Sequence, residues 1–119
     1  MEIKLKYKIW LETQDNEGVL GDGKILLMKA INETGSLNSA MQKLGLSYRK
    51  TWDNLVKIEE TLGFKIVEKQ RGGAAGGKTG LTKEGKAIVD AFDRFHEKYD
   101  GIITNGLYEM MQEIKKDLK

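Results

Sequence analysis

Residues 3–11, IKLKYKIWL, open with strict alternation. Ile3, Leu5, Tyr7, Ile9 and Leu11 fall on one side and Lys4, Lys6 and Lys8 on the other, the pattern of a strand with one buried face. Asp15-Asn16-Glu17-Gly18 supplies turn residues, and Val19-Leu20 can return as a short partner strand, so an N-terminal β-hairpin is expected. The period then changes. Over Lys24–Thr34, Ile25, Met28 and Ile31 share a helical face with Leu26 and Ala30 beside them, and Asp22 stands where a cap is needed. Gly35 ends that helix. Leu37, Ala40, Met41 and Leu44 mark a second helix capped by Ser36 and stopped at Gly45. A third, capped by Ser47, carries Trp52, Leu55, Ile58 and Leu62 toward the core.

The polar positions of this third helix set the functional expectation. Tyr48, Arg49, Lys50, Thr51, Asn54 and Lys57 are left for its outer face, and with the cap residues Ser36 and Ser47 they are the expected DNA contacts of this region. Such side chains donate to phosphates and base edges, and a helix joined to its predecessor by a tight turn is how a helix-turn-helix presents them to a major groove.

Beyond Gly63 the segment Phe64–Lys69 reads as a strand and Thr79–Thr82 as its return. Between them Arg71, Gly72, Gly73, Gly76, Gly77 and Lys78 form a basic, glycine-rich loop, which with Thr79 is expected to approach the sugar-phosphate chain as a wing. A rival pattern shares these residues. Gly72, Gly77, Lys78 and Thr79 satisfy the spacing of a nucleotide-binding P-loop, which requires that lysine and threonine open a helix. Gly80 follows at once and the next helix is expected only after Thr82, so nucleotide hydrolysis is the weaker alternative. A winged helix used solely for protein contact is the other.

Two amphipathic helices are expected at the C-terminus, separated at Asp100-Gly101. The first carries Ala87, Ile88, Ala91, Phe92, Phe95 and Tyr99, and the second Ile103, Leu107, Met110, Met111, Ile114 and Leu118. So small a domain has little core left to cover both stripes. Phe92, Phe95, Tyr99 and the whole second stripe are therefore expected between two copies of the chain.

Composition narrows the classes. No apolar run approaches the ~20 residues of a membrane span, and the lysine-alternating N-terminus is unlike a signal peptide, so a cytoplasmic location is expected. With no cysteine and one histidine, His96, neither thiolate nor histidine-cluster metal sites are expected, and no cofactor. The net charge of +2 is small, but its distribution is uneven: residues 1–44 are neutral, 45–82 carry +3 and 83–119 carry −1. The excess coincides with the third helix and the glycine loop. Catalysis is not expected.

Taken together, ETGSLNSAMQKLGLSYRKTWD (Glu33–Asp53), the paired glycines Gly72–Lys78 and LTKEGK (Leu81–Lys86) resemble the DNA-binding domain of ModE-type molybdenum-responsive regulators, distant relatives of the LysR-type winged helices. The residue patterns and the resemblance together give the expected fold, mainly α with small β: a winged helix-turn-helix over residues 1–82, with an N-terminal hairpin, followed by amphipathic dimerisation helices over 83–119. It implies a homodimeric transcription regulator placing one helix of each copy in the major groove of an inverted repeat in double-stranded DNA. The β-barrels that sense molybdate in that family have no counterpart here, so molybdate sensing through this chain is not expected; a separate sensor or effector protein, another ligand at the dimer interface, and no ligand at all are the alternatives.

Overall fold

In a computed structural model, residues 4–70 and 78–117 are described. Strand β1 (Trp10–Glu12) pairs antiparallel with β2 (Gly18–Gly21), and helix α1 (Asp22–Thr34) follows directly. The alternation of residues 4–9 is real, with Leu5, Tyr7 and Ile9 half-buried and the lysines exposed. The ladder nevertheless spans only three residues of β1, because β2 is too short to pair with more. Asp22 is not a cap. The extended Gly21 holds that position, and the Asp22 carboxylate accepts the Ile9 N–H at 3.0 Å. A side chain at Gly21 would strike the Trp10 Cβ at 2.6 Å, which is why the hairpin crosses the helix start at a glycine.

Helix α1 is the hub of the core: Leu27, Met28 and Ile31 are fully buried, against Ala40 of α2 (Leu37–Leu44) and Leu55 and Ile58 of α3 (Tyr48–Leu62). Ser36 caps α2 by accepting the Ser39 N–H at 3.0 Å. Gly45 then turns left-handed at φ 66°, and its N–H returns to the helix end. Ser47 precedes α3 without a side-chain cap, its carbonyl accepting the Thr51 N–H at 3.0 Å.

Strand β3 (Val67–Gln70) pairs antiparallel with β4 (Lys78–Leu81) as a second, separate two-stranded sheet. The Glu59 carboxylate accepts the Ile66 N–H at 2.7 Å and so ties the end of α3 to the entry of β3. Thr82 starts the last helix, accepting the Gly85 N–H at 3.0 Å and donating to the Lys65 carbonyl at 2.8 Å.

That last helix corrects the expected fold class. Instead of two helices parted at Asp100-Gly101 there is one, α4 (Lys83–Asp117), of 35 residues. Glycine in a helix costs about 1 kcal/mol but stops it only where the chain also turns left-handed, and Gly101 does not. At ~1.5 Å per residue the helix alone accounts for most of the 64 Å long axis. The loop that would form a wing, residues 71–77, lies outside the described residues, and the two small sheets are not joined. The described chain is mainly α with two separate two-stranded sheets; the winged class with paired C-terminal helices is not established.

Candidate functional site

The outer surface of α3 divides by helical spacing. Lys50, Asn54 and Lys57, at i, i+4 and i+7, share one side. Tyr48, Trp52 and Val56 line another, and Arg49 projects from the first turn between solvent-facing neighbours. Two expectations are corrected here. Thr51 is 5% exposed and belongs to the core, not the binding face. Trp52, expected in the core, is 49% exposed. The helix keeps Leu55, Ile58 and Leu62 toward the core as expected, but its buried stripe begins at Thr51, at i−4 from Leu55, and the Trp52 indole beside it edges a cavity shared with Val56, Val67 and Thr79.

The Lys50–Asn54–Lys57 side faces a residue the sequence reading missed. Lys24, in the first turn of α1, is half-buried, and burial first, then the Lys50 charge, hold its ammonium below the ordinary lysine range. No carboxylate lies within 4 Å of Lys24 or Lys50 among the described residues, while Lys57 reaches Glu17 at 3.7 Å. The result is a cationic ridge assembled from two helices. No spacing along the chain signals Lys24, because its position depends on how α1 packs under α3.

Other expected contact residues stand elsewhere. The Ser36 hydroxyl is engaged in its cap. Lys78 lays its stem over Gly35, and the Thr79 N–H donates to the Gly35 carbonyl at 2.8 Å, so both sit at the α1–α2 junction. Ser47, Tyr48 and Arg49 are exposed at the α3 start. Arg71, Gly72, Gly73, Gly76 and Gly77 lie outside the described residues. The P-loop alternative fails on geometry: Lys78 and Thr79 open strand β4, opposite Gln70 and Lys69, and no helix begins there to face a phosphate.

Of the residues expected between two copies, Phe92 is buried in the chain's own core. Phe95 and Tyr99 stack on one another at 5.1 Å, half-buried and exposed respectively. Ile103, Leu107 and Met111 are half-buried, Met110 and Ile114 are exposed, and Leu118 lies outside the described residues. Ile102 and Tyr108, 67% and 61% exposed, widen that apolar surface beyond the expected stripe.

His96 is the centre of a polar cluster. Its Nε2 lies 2.8 Å from Asp22, its Nδ1 2.8 Å from Asp100, and the Tyr7 hydroxyl donates to Asp100. Three elements meet there: the N-terminal segment, α1 and α4. Among the described residues no group of three metal-binding side chains is assembled.

No family model matches the chain. It is 30% identical over 99 residues to the molybdenum-pterin-binding protein MopB of Rhodobacter capsulatus, covering 83% of this chain and 34% of that protein. It is 32% identical over 95 residues to the molybdenum transport protein ModE of Azotobacter vinelandii, covering 80% and 35%. It is 26% identical over 93 residues to the DNA-binding transcriptional dual regulator ModE of Escherichia coli, covering 78% and 32%. The chain thus spans about a third of the length of the curated relatives it matches.

These matches correct the resemblance drawn from the sequence. The similarity extends to proteins named for molybdenum-pterin, MopB and MopA, as well as to regulators, so the narrow assignment to a DNA-binding half stripped of molybdenum function is withdrawn. The expected function, a homodimer reading an inverted repeat through helix and wing, is withdrawn with it. Of the relatives at 30% identity or more, MopB and MopA are named for molybdenum-pterin and the Azotobacter vinelandii ModE for molybdenum transport. What stands is a ModE-like chain whose relatives include transcriptional regulators. No helix among the described residues is long and apolar enough to cross a membrane.

Proposed function

We propose that this chain is a non-catalytic, cytoplasmic binding module of a molybdenum-linked protein, and that its cationic ridge holds the phosphates of double-stranded DNA. The observation that carries this reading is the ridge itself: Lys24, Lys50, Asn54 and Lys57 converge from two helices, with no carboxylate of the described residues within 4 Å of Lys24 or Lys50. A polyanion relieves that repulsion, and amide and ammonium donors suit phosphate oxygens. Arg49, on the adjoining first turn, adds a bidentate donor.

Retardation of mixed duplex fragments at two salt concentrations tests it. Lys50→Ala and Lys57→Ala should each weaken binding to all sequences alike and shallow the log–log salt dependence by about one unit. Unchanged binding in both variants removes the ridge as the contact surface. A second reading, uptake of a molybdenum species by this chain itself, is favoured by the names of MopA and MopB. Equilibrium dialysis against molybdate separates the two: saturable uptake without DNA retention supports the second alone.

The exposed apolar side of α4 supports self-association. Met110 and Ile114 are exposed on the apolar stripe of α4 that also carries the half-buried Ile103, Leu107 and Met111, and Ile102 and Tyr108 are exposed on its two flanks. Sedimentation at micromolar concentration should give a dimer, and Tyr108→Glu with Ile114→Glu a folded monomer; a monomeric parent chain removes this interface.

A further inference from the structure

Beneath the ridge lies a groove with a floor that a phosphate backbone does not use. It holds about 400 Å³ between the β1–β2 hairpin and α3, floored by Leu20, Leu27 and Ile58, walled by Trp10, and rimmed by Lys24 and Lys57. The Trp10 indole N–H donates to Glu12 at 2.8 Å, which fixes the ring while leaving it 61% exposed.

The charge balance of the rim is unfinished. Burial costs the Lys24 ammonium part of its hydration, and Lys50 repels it. Glu17 reaches Lys57 only at 3.7 Å, across an exposed pair of the kind that is worth little. An apolar floor beneath Lys24, with no carboxylate of the described residues within 4 Å, and the weakly paired Lys57 has one chemical complement: a molecule with a flat apolar body and an anionic end. Duplex DNA, whose bases are stacked away from its phosphates, offers no such body to a concave site. A volume of 400 Å³ falls in the range of small-molecule pockets.

We propose that this groove is a binding site for a small amphipathic anion, its apolar ring against Trp10, Leu27 and Ile58 and its carboxylate, sulfonate or phosphate between Lys24 and Lys57. The site goes beyond the DNA contact and stands without it. Because Lys24 and Lys57 serve both, an occupied groove would compete with DNA; only that consequence rests on the proposed function.

The test uses two probes of like shape and unlike charge, anilinonaphthalene sulfonate and the neutral N-phenyl-1-naphthylamine. In a Trp52→Phe background Trp10 is the sole indole, and energy transfer from it reports occupancy. The anionic probe should bind saturably at one site. Lys24→Met should weaken it at least tenfold while changing the neutral probe less than threefold, and Lys57→Met, at an exposed position that leaves folding intact, should act in the same direction. Adding Tyr108→Glu with Ile114→Glu should leave both titrations unchanged, since α4 is not the site. Equal affinity of the anionic probe for the parent and both lysine variants overturns the proposal, as does loss of the signal on changing α4. DNA retardation measured on the same variants reports the proposed function separately, so either can fail alone.

Discussion

Thr51 and Trp52 are neighbours with inverted fates. A bulky indole at a position of the right period is the natural core candidate, yet the side chain in the core is the small β-branched one, and the indole lies half across the surface. Trp52→Ala should therefore cost about 1 kcal/mol or less, whereas Leu55→Ala, which empties a site at 2% exposure, should cost about 2–5 kcal/mol. Urea denaturation of the two variants checks the order. Gly85 has no latitude either. A Cβ there would stand 2.3 Å from the Ile66 carbonyl oxygen, backbone that cannot rotate away, so Gly85→Ala should destabilise by about 1–3 kcal/mol through overpacking. The Asp22 carboxylate gives a pH dependence. Burial alone would raise its pKa, but the Ile9 N–H and the His96 ring outweigh burial and hold it below 3.8. A group lowered on folding contributes stability above its unfolded value, and that contribution is lost as pH falls through the folded one. Asp22→Asn should thus flatten the acid limb of the stability curve below about pH 4, read from thermal melts across that range.

At the scale of elements, capping signals were legible and terminations only partly so. Ser36 and Thr82 cap α2 and α4 through the hydroxyl contacts their positions imply. Gly35, Gly45 and Gly63 end the first three helices in left-handed conformation. Gly101 and Gly106 carry the same letter and do nothing of the kind. Both sit inside α4 with open space where a Cβ would go. Gly101→Ala and Gly106→Ala should each raise helicity and stabilise by about 0.5–1 kcal/mol. Circular dichroism showing loss of helix on Gly101→Ala would mean that the helix does break there.

The whole molecule is governed by what α1 organises. Its apolar face is broad enough to hold α2, α3 and α4 at once, and the His96 cluster adds a polar tie between α1 and α4. Thirty-five residues of helix then run from that hub, and among the described residues Ile102, Tyr108, Met110 and Ile114 of its outer half stay exposed. His96→Ala should loosen this junction rather than the core: a modest loss of about 1 kcal/mol or slightly more, with faster amide exchange around Tyr7 and residues 96–100 and little change at Leu27 or Ile31.

Periodicity, caps and turn residues are local, and from them the sequence alone determined the hairpin, the three successive helices, the β3–β4 return and the exposed cations Arg49, Lys50 and Lys57. Each follows from the pattern of its own stretch of chain, the farthest pairing being that of Val67 with Leu81. Which of Thr51 and Trp52 faces inward, that Lys24 completes the ridge, and that His96 joins Asp22 to Asp100 were decided by packing between segments up to 74 residues apart. Those distances have no signature along the chain. They exist only once α1 is buried and its neighbours have settled against it.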